Sequence, residues 1–241
     1  MLRLIALLIA IGWATPAWAA LSATERFELG QRHLKRGNYL KALEQFNHLR
    51  NYFRDDPLAI DAELGIADVY FKQGEWDQAR IYYDQFRRRH PKHSRIDYAD
   101  FRVALSFYKR SPKTAQRDQR YTEQAVREWT EFIQKHPESS LLEESTLKRK
   151  ECIDRLAKRE LEIASFYKKR GAWDAVRRRT EFLIQNYPTS KLIADALELK
   201  VWAHVELDQN DDFKQALSQL KAIAPDKAAS LDALLKDNNN K

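Results

Sequence analysis

Small and apolar residues recur along this chain at intervals that predict helical hairpins. A tripeptide that begins with lysine marks a turn at Lys35, Lys72, Lys109 and Lys169, and the first three copies stand 37 residues apart. A period of this length is typical of stacked helix pairs, which bury a continuous core between neighbours. The 241 residues include 6 Gly and 7 Pro, fewer than the many turns of a β-sandwich or barrel require.

The same set of residue types surrounds each turn. Seven residues before the glycine or serine of each turn stands a small residue, which helices need where they cross closely. A second small residue follows in the next helix. A turn glycine permits the left-handed backbone that ends a helix, and a later proline stops the second helix. The small residues are Gly30, Ala67, Ala104, Ala164 and Ala203 in the first helices, and Ala42, Ala79, Ala125, Val176 and Ala216 in the second. This is the tetratricopeptide pattern.

The repeat pattern predicts an all-α, tetratricopeptide-type right-handed superhelix of about five helical hairpins. The predicted hairpins span residues 23–54, 58–90, 94–136, 141–187 and 190–223. The last has lost its turn glycine, as expected of a terminal repeat. We expect a cleaved signal peptide at 1–19, a repeat domain at 20–235 and a disordered polar tail at 236–241.

The first residues have the pattern of a secretory signal. Arg3 precedes an apolar run from Leu4 to Trp13, which is too short to span a bilayer, and Ala17 and Ala19 fit a cleavage site. The alternative is an uncleaved N-terminal anchor. No cysteine stands at the cleavage point, so we expect a chain that is not lipidated.

The third repeat is longer than the others. Ala104 and Ala125 are 21 residues apart, whereas Ala67 and Ala79 are 12 apart, so about nine extra residues lie within 111–121. A long connection in a compact array is often functional. The alternative is a tolerated surface insertion.

Charge and chemistry narrow the function further. The net charge is +7, but the cations are interleaved with acids as on a solvated helix face. We therefore expect an acidic protein or an anionic surface as a partner, and no nucleic acid.

Cys152 is the one cysteine, which predicts a buried apolar role and no internal disulfide. No motif suggests an enzyme, a cofactor or a metal site, and His90 and His93 fit a surface turn better than a metal pair.

Positions counted from each small residue of a first helix are expected to face a peptide-binding groove. Each repeat would present apolar groups beside one lysine, which suits an extended client peptide that carries a carboxylate. Alternatively, the aromatic residues are core, and each lysine complements a helix dipole. The predicted groove residues are Phe27, Gln31, Leu34, Lys35, Leu64, Asp68, Phe71, Lys72, Phe101, Leu105, Tyr108 and Lys109.

Three stretches carry a resemblance to a known family. They are Pro91–Tyr108, with Ile96-Asp97-Tyr98-Ala99; the pair Arg117-Asp118; and Leu156–Arg179, with Arg170-Gly171-Ala172-Trp173, followed by Asn186-Tyr187-Pro188. From about Gly30 to Ala196 the chain resembles the BamD family, the tetratricopeptide subunit of the outer-membrane β-barrel assembly machinery. Most members carry a cysteine after the signal, where this chain has Ala19-Ala20-Leu21.

The resemblance implies a scaffold subunit that binds the POTRA domain of the barrel-forming subunit, other complex subunits and unfolded outer-membrane proteins. It implies a place in the periplasm at the inner face of the outer membrane, with indirect membrane contact. The implied partner-subunit contacts are Arg117, Asp118, Arg170, Trp173 and Arg179. Alternatively, Arg179 is an ordinary solvated arginine, and the chain is another periplasmic tetratricopeptide adaptor, in cell-envelope or pilus assembly.

Overall fold

The computed structural model describes residues 21–239, and within that range the chain forms eleven α-helices and no strand. The helices are α1 (Ala23–Lys35), α2 (Tyr39–Tyr52), α3 (Pro57–Gln73), α4 (Trp76–Arg89), α5 (Ile96–Arg110), α6 (Arg120–Lys135), α7 (Leu142–Lys168), α8 (Trp173–Asn186), α9 (Ile193–Glu206), α10 (Asn210–Ile223) and α11 (Pro225–Asn239). The first ten form the five predicted hairpins, so the all-α prediction is confirmed. The predicted signal peptide, 1–19, lies outside the described residues.

The chain divides into two compact units, and the division falls within α3, between Ala62 and Glu63. In the first unit, α1 begins with a capping box. The Ser22 side chain accepts a hydrogen bond from the Glu25 N–H at 3.3 Å, and the Glu25 carboxylate accepts one from the Ser22 N–H at 2.9 Å. These bonds satisfy N–H groups that a helix start leaves unpaired. The hydrogen bond from the Ser22 N–H to the carboxylate, and then the one from the Ser22 hydroxyl, lower the pKa of Glu25.

The first helix of four hairpins ends in the same left-handed turn. Gly37, Gly74 and Gly171 have φ angles of 76°, 82° and 65°, as the predicted turn glycines require. The fifth hairpin, whose turn has no glycine, places Asp208 at φ 56° instead, because aspartate tolerates this conformation. The residue after each left-handed residue donates its backbone N–H to the carbonyl oxygen five residues earlier. These hydrogen bonds run from Asn38 to His33, from Glu75 to Tyr70, from Ala172 to Tyr167 and from Gln209 to His204.

The predicted small residues lie in the core of the hairpins. In the second unit, the residues at both small positions of all four repeats are buried. In the first unit, a Cβ atom added at Gly30 would lie 2.7 Å from Cε1 of Phe46, a side chain with no exposed surface. The close approach of α1 and α2 therefore requires a glycine.

Cys152 is also buried, as predicted, and burial raises the pKa of its thiol to about 12.

The C-terminal end of the chain departs from the sequence analysis. A further helix, α11, follows the fifth hairpin, and it begins at Pro225, where proline suits a first helical position. Ala228 and Leu231 pack against Val201 and Leu220, so α11 covers the last hairpin. Its backbone continues as a helix through 236–239, within the range 236–241 for which the sequence predicts a disordered tail. Residues 240 and 241 lie outside the described range.

We predict that Gly30→Ala destabilises the protein. In a helix interior, alanine is more favourable than glycine by about 1 kcal/mol of helix propensity. Overpacking a rigid core, however, costs about 1–3 kcal/mol of stability. Because the fully buried Phe46 ring blocks the new methyl group, we expect a net loss of about 1 kcal/mol in the free energy of unfolding. Urea denaturation measures it. In a Phe46→Leu background the same change should cost nothing; an equal loss there would contradict the explanation.

Candidate functional site

In the first unit, the four predicted groove residues lie along α1 and differ in exposure. The ring of Phe27 is half-buried, and its centroid lies 5.8 Å from that of Phe46. Gln31 and Leu34 are also partly buried, whereas Lys35 is exposed in the last turn. Phe27 therefore contributes to the hairpin core, and the client-binding role of this face stays a prediction.

In the second unit, four of the predicted groove residues are core residues. Leu64, Phe71 and Phe101 are 0%, 7% and 5% exposed. Phe101 packs edge-on against Trp129, with ring centroids 5.2 Å apart. Leu105 is buried as well. The prediction that these side chains face an open groove is therefore wrong.

The reason lies in the helical geometry of the counted positions. Leu64 stands three residues before the small residue Ala67, and Phe71 stands four residues after it. Residues three and four apart share one face of a helix. Both side chains therefore point to the side on which Ala67 meets the neighbouring helix, and they pack in that contact.

Asp68 is held in a polar network instead of facing a ligand. Its Oδ1 accepts hydrogen bonds from the hydroxyls of Tyr83 and Tyr98, both at 2.5 Å. Arg102 donates through Nε to the Tyr83 hydroxyl at 3.0 Å, and its guanidinium carbon lies 3.6 Å from the centroid of the Phe71 ring. Burial is the main cause that raises the pKa of both tyrosines, and the negative charge of Asp68 raises it further. Both tyrosines therefore remain protonated donors. The network joins α3, α4 and α5.

The remaining predicted groove residues of the second unit lie at the surface or against α7. Lys72 and Lys109 are exposed. The hydroxyl of Tyr108 donates a hydrogen bond to Glu151, and Lys148 lies over its ring, with Nζ 4.9 Å from the centroid. Burial is the main cause that raises the pKa of Tyr108, and the hydrogen bond to Glu151 raises it further. Tyr108 thus connects α5 to the longest helix, α7.

One face of α7 forms the floor of a large open groove in the second unit. With 27 residues, α7 is the longest of the described helices. Glu151, Arg155, Glu162 and Phe166 follow one another along it at helical spacing, and Lys169 comes directly after its end. The groove has a volume of about 1220 Å³. Its walls come from the inserted segment between α5 and α6, from α8 and from the α8–α9 connection. We call it the α7 groove.

The α7 groove is strongly basic. Three carboxylates line it, from Glu151, Asp154 and Glu162, against seven cationic side chains, which leaves an excess of four positive charges. The cations are Lys113, Arg155, Lys158, Arg159, Lys169, Arg179 and Lys191. The Nη1 atom of Arg155 is buried and has no hydrogen-bond partner among the described residues.

The insertion is an ordered wall of this groove. Residues 111–119 form no helix, but Gln119 is buried, and its Nε2 donates to the carbonyls of Thr114 and Arg117 at 2.8 and 3.1 Å. Gln116 Nε2 then donates to Glu162 Oε2 on α7 at 2.7 Å. The insertion is therefore fixed to the floor of the groove, and Lys113 lies at its edge.

Arg179, the arginine that the resemblance singles out, has a structural partner. Its Nη1 donates to Oε2 of Glu160 at 3.0 Å, and the Glu160 side chain is 6% exposed whereas that of Arg179 is 44% exposed. Arg159 lies near the other carboxylate oxygen, with Nη1 3.9 Å from Oε1. Arg179 thus neutralises a buried acid and also lines the α7 groove. It is not an ordinary solvated arginine.

The other predicted contact residues lie near the groove but do not line it. Arg117 and Asp118 are exposed, and the Asp118 carboxylate accepts hydrogen bonds from the backbone N–H and Nη2 of Arg120 at 3.0 and 2.9 Å, which lower the pKa of Asp118. The Arg170 guanidinium carbon lies 3.6 Å from the centroid of the Phe166 ring. Trp173 is partly buried against Ala164, Val176 and Ala203 and supports the hairpin. Their contact role stays a prediction.

The histidines near Pro91 make local contacts. His90 Nε2 lies 3.1 Å from Glu63 Oε2, and His93 packs edge-on against Phe86, with ring centroids 5.2 Å apart. Among residues 21–239, no group of three or more histidine, cysteine, aspartate or glutamate side chains is placed to bind a metal ion. In the same part of the chain, no helix is both long enough and apolar enough to cross a membrane.

The sequence analysis missed most of the groove cations. The spacing of Arg155, Lys158, Glu162 and Lys169 along one helix face was available as a signal. Lys113 and Lys191 could not have been found in this way, because each comes from a different connection and meets α7 only in the folded chain.

Sequence comparisons identify a family. The family model described as YfiO, outer membrane lipoprotein, matches residues 19–220. A relative from Neisseria meningitidis serogroup B, "Outer membrane protein assembly factor BamD", is 27% identical over 197 residues, which cover 78% of this chain and 74% of the relative. A relative of the same description from Rickettsia prowazekii is 29% identical over 187 residues, with 78% and 74% covered.

A solved structure supports the fold. The TPR2AB-domain:pHSP90 complex of yeast Sti1 superposes with a TM-score of 0.50 at 14% sequence identity, and the match covers 90% of this chain and 86% of that chain. At this identity the likeness shows the fold alone. The tetratricopeptide-type prediction is therefore confirmed.

We predict that Arg179→Ala destabilises the protein through Glu160. Removing one partner of a buried ion pair costs about 3–5 kcal/mol, and the partial exposure of Arg179 reduces this to about 1–2 kcal/mol. Urea denaturation should show this loss in the free energy of unfolding. With Glu160→Gln already present, no buried charge remains, and Arg179→Ala should cost much less. An equal cost in both backgrounds would contradict the pairing.

Proposed function

The chain belongs to the YfiO family of outer membrane lipoproteins, and from this membership we propose that it is a periplasmic scaffold subunit of the outer-membrane β-barrel assembly complex. The relatives described as assembly factors support this role. In the proposal the chain binds the barrel-forming subunit through its POTRA domain, and it also binds unfolded client chains. It acts by holding proteins together and not by catalysis.

The α7 groove is the observation that supports a partner-binding role most directly. Arginine and aromatic side chains are enriched at protein interfaces, where a partly desolvated arginine forms strong contacts with a carboxylate. Arg155, Arg159 and Arg179 line the same groove as Phe166 and Tyr167. We assign the contact with the barrel-forming subunit to this surface and to the adjoining insertion.

Unfolded clients are the second class of partner in this proposal. Lys35 in the first unit, and Lys72 and Lys109 in the second, are exposed and can approach an acidic side chain or a terminal carboxylate. Because Leu64 and Phe71 are buried, these lysines would act without the apolar floor that the sequence suggested.

We place the chain at the periplasmic face of the outer membrane, where its contact with the membrane is indirect and runs through its partner. The matched family is described as lipoproteins, and the absence of a lipid on this chain stays a prediction.

A pull-down from envelope extract with the tagged mature chain tests the proposed function. We expect recovery of the barrel-forming subunit, and a several-fold lower recovery with Arg117→Glu, which reverses an exposed charge on the insertion. Lys92→Glu makes the same charge change at an exposed site that lies outside the α7 groove, and it should recover the subunit normally.

Recovery of pilus or cell-wall assembly proteins without the barrel-forming subunit would contradict the proposal and support a different periplasmic adaptor. Equal losses with Arg117→Glu and Lys92→Glu would contradict the assignment of the contact to this surface.

A further inference from the structure

We propose that the α7 groove binds an acidic polypeptide segment that also carries apolar side chains, and that Lys113 and Lys191 determine this preference for negative charge. The inference rests on the proposed function and deepens it, because it gives the chemistry of the partner. It assigns a role to two lysines that lie on different connections of the chain and that the sequence did not single out.

The carboxylates of the groove are already engaged by the protein. Glu151 accepts hydrogen bonds from Tyr108 and from Lys148, the latter at 3.4 Å. Asp154 accepts from the Ser190 hydroxyl at 2.8 Å. Glu162 accepts from Gln116. These hydrogen bonds hold the three acids in place, and Glu162 also lies 3.9 Å from Lys158. With all three carboxylates counted, the groove still has an excess of four positive charges.

Several cations of the groove, by contrast, have no carboxylate partner. Among the described residues, no ion pair involves Lys113, Arg155, Lys169 or Lys191. Like charges held close together on one surface repel each other, and an acidic ligand removes this cost while it gains charge-assisted hydrogen bonds.

Both connections that carry the two lysines are fixed to α7 before any ligand binds. Asp154 Oδ1 accepts a hydrogen bond from the backbone N–H of Lys191 at 3.0 Å, and Gln116 ties the insertion to Glu162 at 2.7 Å. A preformed site avoids the entropic cost of ordering loops upon binding. The walls therefore present Lys113 and Lys191 at defined positions.

Size and apolar surface favour a polypeptide over a small anion. A volume of about 1220 Å³ exceeds the roughly 300–1,000 Å³ that is typical of small-molecule pockets. Phe166 is 49% exposed at the groove, and Leu161 and Ile163 also line it. An acidic segment with apolar side chains matches both features, whereas a lipid headgroup or a free phosphate would leave the apolar surface uncovered.

Fluorescence anisotropy with a labelled probe peptide tests the inference. The probe is a twelve-residue peptide of alternating glutamate and leucine; one comparison peptide has lysine for glutamate and another has serine for leucine. We expect the mature chain to bind the probe more tightly than either comparison peptide, and to bind it less tightly as salt increases.

Paired variants with equal net charge locate the binding. Lys113→Glu with Lys191→Glu should weaken probe binding at least about fivefold, since each reversal replaces an attraction by a repulsion. Lys41→Glu with Lys92→Glu makes the same charge change at exposed positions that do not line the groove, and this pair should bind normally. Circular dichroism and urea denaturation check that both pairs are folded.

Three results would overturn the inference: no binding of the probe, equal weakening by the two variant pairs, or groove-dependent binding of anionic phosphatidylglycerol vesicles in place of the probe. Probe binding without recovery of the barrel-forming subunit would contradict the proposed function alone. Normal recovery of that subunit by the unmodified chain, with no binding of the probe to the same chain, would contradict this inference alone.

Discussion

Close contact between paired helices at small side chains is the constraint on which this structure depends. A hairpin buries its apolar faces fully when its two helices approach at a position without a bulky group. Gly30 meets the ring of Phe46 there, and Ala67, Ala104 and Ala164 hold the equivalent positions in the second unit. Because these positions fix how the helices face each other, they also decide which side chains are buried and which remain for binding.

The α7 groove follows from the same arrangement. Glu160 stands four residues before the small residue Ala164, on the same face of α7, so its carboxylate is buried beside α8 and requires a cation. Arg179 supplies that cation and remains partly exposed at the groove. One arginine thus serves both the fold and the surface, and a loss of binding in an Arg179 variant has to be separated from a loss of stability.

The sequence predicted the fold well, because spacing and turn chemistry are local properties. The positions of the small residues predicted the five hairpins, and the turn glycines have the expected positive φ angles. The surface was harder to predict. Counting from Ala67 placed Phe71 in a groove, although a side chain four residues later points into the same helix contact. The basic groove depends on Lys113 and Lys191, which tertiary contacts bring to α7. The helix α11 was missed because a single helix outside a hairpin leaves no repeated pattern.

Hydrogen–deuterium exchange of the mature chain, with and without the periplasmic domain of the barrel-forming subunit, tests the central claim most directly. The account predicts slower amide exchange in the insertion, residues 111–119, and in the part of α7 that lines the groove, residues 151–168. Exchange in α10 should not change, because that helix contributes nothing to the groove. A complex that forms with protection confined to α10, and none in the insertion or α7, would contradict the account.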